Sequence, residues 1–340
     1  MSKKLLVVGS DSIHVFNFIE LVKGYFDEVL LLTDKNHRLY SVKTIAIDYS
    51  LGLRSLSSIK KIKMIVQDFQ PTTVHMHQAN SYSLLTLLSL RKYRCQKILT
   101  AWGSDILINP KESMLLNWIV KYILNEVDMV TADSDIVLAE ANKLVKKDIE
   151  PYNINFGIEL DLCIVKKENI IYSNRLHKPL YNIDKIILSF SKFFKQNSNW
   201  KLVLAGNGED TDKLKTLVQK LNLNDAVAFI GWVDAKTNYE YYCKSKIYVS
   251  IPKSDSISLS LVEGIICGCI PFVSELPANR EIINSDIGFV VEDLNTIPFQ
   301  KYKDIEPLFF EIKRKKIEHY FSKSFNREKY LKLYGKTDES

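Results

Sequence analysis

The sequence has no apolar run long enough to cross a lipid bilayer. The longest uncharged run near the amino end, Leu5 to Ser10, is too short for a signal-peptide core or a spanning helix. A second apolar run, Leu259 to Val273, carries Glu263 and two glycines and also fails as a span. These absences predict a soluble protein made in the cytoplasm.

Cysteine is scarce and shows no metal-binding pattern. The chain of 340 residues has no C-x-x-C pair, and no histidines stand near a cysteine at zinc-ligand spacing. We therefore predict no metal site and interpret the cysteines as reduced residues of the core. They are Cys95, Cys163, Cys243, Cys267 and Cys269.

Charge of either sign is dispersed along the chain. The net charge of +6 favours an anionic partner such as a membrane surface, a diphosphate or a nucleic acid. The basic residues lie in mixed segments, and no aromatic residues are interleaved with them as in nucleic-acid binding motifs. We therefore predict no nucleic-acid partner.

Short apolar runs alternate with amphipathic segments, without repeats or low-complexity tracts. This alternation predicts βαβ units and parallel sheets in an α/β fold. Strands are predicted at 4–8, 28–32, 73–76, 97–100 and 128–131, with helices at 12–24, 56–69 and 81–91. A further helix is predicted to begin at Asn109, because Pro110 suits its first position and Glu112 completes a capping box.

The pattern lapses between 151 and 169 and then starts again. A second series has strands at 170–172, 200–205, 226–230, 246–250 and 270–273, with helices at 183–195, 210–221, 237–243 and 258–267. Two helical stretches follow, at 306–318 and 325–334. We predict two doubly wound domains, 1–160 and 161–315, whose strand ends face a cleft, and a helix in 316–340 returning to the first.

The segment Asp255 to Gly264 lies between a predicted strand and an apolar helix. A polar loop that opens a helix presents free amides and the positive end of the helix dipole, which suit a diphosphate. Glu263, one turn later, can accept both hydroxyls of a ribose. The alternative is a capping box, since Ser260 and Glu263 have the S-x-x-E spacing.

These residues resemble the E-x7-E signature of the family-four retaining glycosyltransferases, which have the two-domain GT-B fold. Glu263 matches its second glutamate, and Asp255 replaces the first with a side chain one methylene shorter. Further matches are Cys267-Gly268, Pro271 and Glu281-Ile282, although one extra residue separates the glycine from the proline.

Two more segments resemble family elements beside the donor. Lys201 to Gly208 resembles its strand and glycine turn, although a turn with Gly206 and Gly208 is also an ordinary strand-to-helix connection. Ser173-Asn174-Arg175-Leu176 resembles G-R-L, whose arginine contacts the donor diphosphate together with a lysine five residues later. That position is Leu180, so Lys178 is the nearest cation, and the alternative for Arg175 is a surface arginine.

The amino-terminal half has matching elements at its strand ends. The loop containing Ser10 lies where the family has a glycine loop near the reacting sugar, and it is not the G-x-G-x-x-G of dehydrogenases. His75 and His77 match V-H-x-H, whereas Trp102 replaces a common histidine of T-x-H-G-x-D. His77 or Asp105 would bond sugar hydroxyls and Trp102 would stack on a sugar ring; alternatively His75 is a core residue and Asp105 caps a turn.

The resemblance implies retaining transfer of a hexose or N-acetylhexosamine from a UDP-sugar to a glycan or lipid-linked acceptor. It further suggests bacterial polysaccharide assembly, as for lipopolysaccharide or capsule, with no metal or cofactor. Asp255, His77 and Asp105 would orient donor sugar and acceptor, and Glu263 would hold the ribose. The leaving diphosphate would be stabilised by Arg175, Lys178 and the amides of Ser258, Leu259, Ser260 and Leu261.

Two other functions fit the same fold, and one further contact is expected. A nucleotide-sugar epimerase usually needs a carboxylate and histidine set that we do not find, and the presence of both Arg175 and Glu263 counts against a non-catalytic nucleotide- or glycan-sensing module. Peripheral contact with the inner face of the plasma membrane is expected from a basic face, for which the alternative is simple solvation. That face comprises Lys60, Lys61, Lys63, Lys121 and Tyr122.

Overall fold

The protein is described by a computed structural model that covers residues 2–35, 40–145, 149–160, 163, 165–255 and 257–335. Its chain contacts define two compact units. Unit 1 comprises residues 1–157 and 323–340, and unit 2 comprises residues 158–322. Within the covered residues, none of the helices combines the length and the apolar character needed to cross a bilayer.

Unit 1 is built on a seven-stranded sheet in which every neighbouring pair is parallel. Its strands are β1 Lys4–Val8, β2 Glu28–Thr33, β3 Lys43–Ala46, β4 Thr73–His77, β5 Gln96–Thr100, β6 Met129–Ala132 and β7 Pro151–Asn153. Their order is β3-β2-β1-β4-β5-β6-β7. Its helices are α1 Ile13–Val22, α2 Ser55–Phe69, α3 Ser81–Ser89, α4 Ser104–Leu107, α5 Asn109–Glu112, α6 Met114–Glu126, α7 Asp135–Lys143 and, from the carboxyl end, α14 Lys323–Gly335.

Unit 2 repeats this plan with six parallel strands in the order β10-β9-β8-β11-β12-β13. The strands are β8 Glu168–Ser173, β9 Lys201–Ala205, β10 Val227–Gly231, β11 Ser245–Ser250, β12 Ile270–Ser274 and β13 Phe289–Val291. The helices are α8 Ile183–Phe194, α9 Thr211–Lys220, α10 Ala235–Lys244, α11 Leu259–Ile266, α12 Pro277–Ile282 and α13 Pro307–Tyr320.

The predicted fold class, two doubly wound parallel α/β domains, is confirmed. Central strands such as β1 are apolar on both faces because helices cover both sides of a parallel sheet. In each sheet the strand order reverses once, between β1 and β4 in unit 1 and between β8 and β11 in unit 2. The crevice at such a reversal, beyond the carboxyl ends of the strands, is the usual ligand site of this architecture.

Two sequence predictions need correction. The long helix does not begin at Asn109: residues Asn109–Glu112 form a single turn, and the Ser113 hydroxyl caps α6 by accepting the Leu116 amide at 3.1 Å. The interpretation of all cysteines as reduced is also wrong, because a disulfide joins Cys163 to Cys243. These two cysteines are 80 residues apart, a separation that matches no spacing motif.

Helix α14 completes the core of unit 1. The prediction gave a boundary at 315/316, whereas the contacts place α13 in unit 2 and divide the chain after Ser322. The predicted segment 316–340 is described only to residue 335. Tyr330, Leu333 and Tyr334 are buried beside α1 and β1, and the Tyr334 hydroxyl lies 2.9 Å from Nδ1 of His75.

We expect Tyr330→Ala to destabilise unit 1 by about 3–5 kcal/mol, the usual cost of truncating a buried aromatic side chain. Tyr330 is 0% exposed, and its ring packs edge-on against Phe18 with centroids 5.4 Å apart. Denaturant unfolding measures the loss. Leu308→Ala, at an exposed position of α13, is the control and should change stability by less than about 0.5 kcal/mol. Equal losses in the two variants would contradict a core role for α14.

Candidate functional site

Unit 2 groups three of the predicted residues at the strand reversal. Arg175 follows β8, and Asp255 and Ser258 follow the neighbouring strand β11. One guanidinium nitrogen of Arg175, Nη1, donates to the Ser258 hydroxyl at 2.8 Å, and the other, Nη2, pairs with the Asp255 carboxylate. Only 12% of the Arg175 side chain is exposed. The Arg175 guanidinium is therefore held in place beyond the carboxyl ends of the strands, and the Asp255 carboxylate already pairs with one of its two terminal nitrogens.

A polar network behind this group centres on Asn174, which sequence reasoning missed. Its amide nitrogen lies 2.9 Å from the Tyr242 hydroxyl, 3.1 Å from Oδ1 of Asn238 and 3.4 Å from the Ser260 hydroxyl. The Tyr248 hydroxyl donates to the Asn174 carbonyl at 2.9 Å. The available signal was the position itself, because Asn174 stands where the G-R-L pattern has glycine. Asn174 joins β8, α10, β11 and α11 directly beside Arg175.

Glu263 lies partly buried on α11, behind Ser260. Burial raises its pKa to about 7, and a hydrogen bond from Tyr242 opposes that shift. The capping-box alternative does not hold, because the helix is capped at Ser258 and Ser260 is already its second residue. Glu263 is thus a carboxylate that changes charge near neutral pH, which suits a group that meets a ligand.

The predicted amides stand at the first turn of α11. Leu259 and Ser260 are its first two residues, whose amides have no partner within a helix. The Leu261 amide instead donates to the Ser258 carbonyl at 3.0 Å, and its side chain is buried in the core. The helix end is consistent with anion binding through its first two amides, but the predicted contact of Leu261 is already occupied.

The two glycines after β9 permit a close approach of loops. Gly206 has φ +94°, and a Cβ there would lie 2.8 Å from the carbonyl oxygen of Arg175. A Cβ at Gly208 would overlap the carbonyl of His177. The His177 amide donates to the Asn207 carbonyl at 3.2 Å, which fastens the two loops together. The glycine turn therefore supports the backbone that carries Arg175.

Lys178 follows Arg175 in the same loop and lines a cavity of unit 2. Its exposed side chain lines a cavity of about 440 Å³ that also contains Asp210, Lys213 and Lys253. Asn182, which has φ +52°, turns the chain beside this cavity before α8 begins. Lys178 contributes positive charge to this cavity, and the contacts described for the Arg175 side chain, with Ser258, Asp255 and Tyr181, do not include it.

Unit 1 presents a second group of predicted residues at the ends of β4 and β5. His77 is 1% exposed, and its Nδ1 accepts the indole N–H of Trp102 at 3.4 Å. Burial, with His14 nearby, lowers the pKa of His77 to about 3. Its imidazole is therefore neutral and carries its proton on Nε2, an atom with no hydrogen-bond partner among the described residues.

Asp105 is buried next to the backbone that carries His77 and Trp102. This position corrects its predicted contact with sugar hydroxyls. It is 2% exposed, and its carboxylate oxygens accept the amides of Ala79 at 2.8 Å and Trp102 at 3.0 Å. Both oxygens are thus occupied by backbone, as the turn-cap alternative proposed. Asp105 is a positioning residue for the loops after His77 and before Trp102.

Two further predicted residues of unit 1, Ser10 and His75, differ in their surroundings. Ser10 is half-buried in the loop between β1 and α1, next to Asp11, whose amide donates to Asp34 at 3.0 Å. His75 is fully buried, with Nε2 2.7 Å from the Thr100 hydroxyl, and is a core histidine. The contact of Ser10 with a ligand stays a prediction, whereas His75 supports the fold.

Comparison with known proteins gives the family. Residues 163–300 match the family described as glycosyl transferases group 1, and residues 3–134 match the family described as glycosyl transferase 4-like. The chain is a family-four glycosyltransferase of the GT-B type. The match over residues 163–300 lies within unit 2 and contains Arg175, Asp255 and Glu263, and the match over residues 3–134 lies within unit 1.

Curated relatives of this glycosyltransferase are distant. It is 26% identical over 260 residues to N-acetyl-alpha-D-glucosaminyl L-malate synthase of Bacillus anthracis, covering 72% of this chain and 66% of that protein. It is 24% identical over 232 residues to alpha-monoglucosyldiacylglycerol synthase of Streptococcus pneumoniae, covering 60% and 52%. The chain therefore matches less than two thirds of the length of either relative.

Solved structures share the fold of this glycosyltransferase over nearly its whole length. Sucrose-phosphate synthase from Thermosynechococcus elongatus superposes with a TM-score of 0.81 at 15% identity, covering 99% of both chains. HepE of Anabaena, solved in complex with UDP and glucose, superposes with a TM-score of 0.79 at 11% identity, covering 98% of this chain and 100% of its own. At such identities the likeness establishes the GT-B fold.

Asp105→Asn tests the positioning role in this glycosyltransferase. An asparagine presents one N–H₂ group toward two backbone amides, so one buried amide loses its acceptor at a cost of about 1–3 kcal/mol. Denaturant unfolding should show that loss, and Trp102 fluorescence should change as its loop relaxes. Asp68→Asn, on an exposed face of α2, is the matched control. Unchanged stability in both variants would restore Asp105 as a candidate ligand contact.

Proposed function

We propose that this glycosyltransferase transfers a hexose or N-acetylhexosamine from a UDP-sugar, with retention, to a glycan or lipid-linked acceptor. The proposed setting is bacterial surface-polysaccharide assembly, such as lipopolysaccharide or capsule. The observation that carries the donor side is the Arg175, Ser258 and Asp255 group, with Glu263 one turn behind it. The HepE structure with UDP and glucose supports UDP as the nucleotide.

The donor diphosphate would lie between Arg175 and the first turn of α11. The guanidinium supplies two donors in a fixed plane, and the amides of Leu259 and Ser260 add the positive helix end. Charge on the diphosphate grows as the glycosidic bond breaks, so these fixed donors stabilise the transition state more than the bound donor. The leaving phosphate oxygen accepts the proton of the acceptor hydroxyl, so the proposal needs no general base, metal or cofactor.

Two carboxylates would hold the rest of the donor. Ionised Glu263 accepts both ribose hydroxyls, and its bonds are charge-assisted and about twice as strong as neutral ones. Asp255 would contact the sugar, but it first has to exchange or share its bond to Arg175. Donor binding would therefore rearrange this ion pair rather than fill a site that is already complete.

In unit 1 the proposal assigns sugar contacts to His77 and Trp102. The neutral imidazole of His77 can donate from Nε2 to a hydroxyl, and it stays neutral throughout the physiological pH range because burial lowers its pKa to about 3. Trp102, half-buried between His14 and His77, offers an apolar ring for a sugar face. Ser10 would add a hydroxyl near the reacting centre.

Incubation with UDP-sugars, with and without an acceptor extract, tests the proposal. A transferase releases UDP faster when acceptor is present, an epimerase converts the sugar without releasing UDP, and a sensor only binds. Proton NMR of the product reports the anomeric configuration through its coupling constant. Epimerised sugar, an inverted anomeric centre or absence of turnover with every donor would each overturn the proposal.

Peripheral membrane contact is the second part of the proposal, and the structure adds an apolar patch to the predicted lysines. At the start of α6, Met114 is 91% exposed, Leu115 61% and Trp118 56%. The ring of Tyr122 stacks on Trp118 with centroids 5.6 Å apart, and Lys121 beside it is exposed. Amphipathic helices with such residues lie in the membrane interface.

Three of the predicted basic residues lie on α2, a helix that shares the neighbour α3 with α6. Lys60, Lys61 and Lys63 are exposed on α2, and α3 contacts both α2 and α6. Each basic residue near an anionic lipid surface contributes about 1 kcal/mol. The apolar patch and these lysines together would hold the enzyme reversibly at the inner face of the plasma membrane.

We expect the enzyme to co-sediment with anionic vesicles at low salt and to be released as salt screens the lysines. Trp118→Ser should reduce the bound fraction several-fold, because it removes the largest apolar ring of the patch. Trp232→Ser is the matched control, since Trp232 is 71% exposed on unit 2. Equal recovery on neutral and anionic vesicles, or equal effects of the two substitutions, would reject the membrane contact.

A further inference from the structure

Three sulfur atoms meet in unit 2, outside the donor group. The Sγ atoms of Cys163, Cys243 and Cys267 all lie within 4.8 Å of one another. Cys243 is the penultimate residue of α10, Cys267 caps the carboxyl end of α11, and Cys163 lies in the segment before β8. Three separate chain segments therefore converge on one point, which we call the three-sulfur cluster.

We propose that the three-sulfur cluster, once its disulfide is reduced, binds one soft metal ion through three thiolates. Metal–sulfur bonds of about 2.3 Å around a common centre place the sulfurs about 4 Å apart, which fits the observed limit. Thiolate ligands select soft cations such as Cu(I) and Zn(II) and its heavier congener Cd(II) over Mg(II) or Ca(II).

The electron and proton balance of the two states is simple. In the oxidised state Cys163 and Cys243 share a disulfide and Cys267 is a free thiol. A dithiol reductant supplies two electrons and two protons, becomes a disulfide itself, and leaves three thiols in the cluster. The metal then displaces their three protons. Disulfide and metal are thus mutually exclusive occupants of the same sulfurs.

Two cationic side chains, Lys167 and Arg314, lie beside the backbone of the three-sulfur cluster. Lys167 Nζ donates to the carbonyls of Cys267 at 2.6 Å and Tyr242 at 2.9 Å, directly beside two ligand residues. Arg314 Nη1 donates to the carbonyl of Ile266 at 2.8 Å. Lys167 offsets part of the net negative charge that three thiolates keep after binding one cation, whereas Arg314 is already paired with Glu311 and Glu318.

Burial gives the cluster a dry interior and one open side. Cys243 is 4% exposed and Cys267 2%, whereas Cys163 is only partly buried and leaves a path for entry. Cys269 is not a further ligand, because its thiol points to the carbonyls of Tyr242 at 3.1 Å and Ser245 at 3.2 Å. The protein thus offers three ligands, and a fourth position is left to solvent or a small thiol.

Cadmium titration of the whole protein tests the site without any sugar, so its result does not depend on the transferase proposal. We expect the reduced protein to take up one equivalent of Cd²⁺, with a thiolate-to-cadmium absorption band in the ultraviolet, and to melt at a higher temperature. The protein with its disulfide intact should show no such band, and Mg²⁺ should produce neither effect.

Cys267→Ser supplies the decisive comparison, because it removes one ligand and leaves the disulfide intact. We expect it to weaken Cd²⁺ binding by the reduced protein at least about 10-fold. Cys95→Ser, in unit 1, should bind as the unmodified protein does. If Cys267→Ser does not fold, the same titration on Cys163→Ser replaces it. No band in the reduced protein, an equal band in the oxidised protein, or equal losses in Cys95→Ser would overturn the proposal.

Discussion

Arg175→Ala should lower turnover by about 100-fold or more while the Michaelis constant for the donor changes little. Removing one fixed donor to a developing negative charge typically costs that factor. The structure strengthens this expectation, because Arg175 is held by Ser258, Asp255 and the ring of Tyr181, 4.7 Å below the guanidinium carbon. Steady-state kinetics of UDP release measure both constants.

Two companion substitutions separate charge from geometry. Arg175→Lys keeps the charge but loses the planar fork, so its turnover should fall between that of the wild type and that of Arg175→Ala. Asp255→Asn frees Nη2 of Arg175 from its ion pair and should affect donor sugar selection more than phosphate departure. A raised Michaelis constant with unchanged turnover in Arg175→Ala would place Arg175 in ground-state binding instead.

Glu263→Gln should weaken donor use at pH 8 by about 10-fold or more and yet stabilise the fold. The variant has only a neutral amide for the ribose hydroxyls, which makes weaker hydrogen bonds. Its stability gain follows from the pKa of Glu263, raised by burial from 4.5 to about 7. At pH 8 the buried Glu263 carboxylate is ionised, and this charge destabilises the folded state by at most about 3 kcal/mol.

The pH dependence separates the two effects. Because the pKa of Glu263 is higher in the folded protein, protonation of this carboxylate stabilises the fold. The gain in unfolding free energy is complete below pH 4.5 and is lost as pH rises through 7. Donor affinity runs the opposite way and should fall as pH drops from 8 to 6. Both trends should disappear in Glu263→Gln and persist in Glu240→Gln, an exposed position of α10. Identical pH profiles of donor affinity in the two variants would reduce Glu263 to a structural residue.

The central strands were predictable because local pattern and burial agree there. β1, β4, β8 and β11 are short strands that a parallel sheet buries on both faces, and the predicted site residues follow their carboxyl ends. The edge strands β3, β7 and β13 were missed. Each has only three or four residues and little burial, so no periodic signal marks it.

The residues of the site were predictable one by one, but not their partners. The family resemblance predicted Arg175, Asp255 and Glu263: Arg175 and Asp255 follow strands, and Glu263 lies one turn into α11. That Asp255 pairs with Arg175, or that Asn174 links four elements, depends on segments brought together from 64 to 86 residues away. For Asp105 the sequence allowed both a sugar contact and a turn cap, and only the backbone amides of Ala79 and Trp102 around its carboxylate distinguish the two.

The placement of α14 sets an order of events during synthesis. The ribosome makes residues 1–157, then all of unit 2, and only afterwards the helix whose Tyr330 and Leu333 fill the core of unit 1. Domains usually complete themselves in the order in which they are made. Unit 1 therefore lacks part of its hydrophobic core until unit 2 and α14 have been synthesised. The amino-terminal half would be exposed to chaperones for the longest time. A stop codon before α14 would destabilise unit 1, at the other end of the chain.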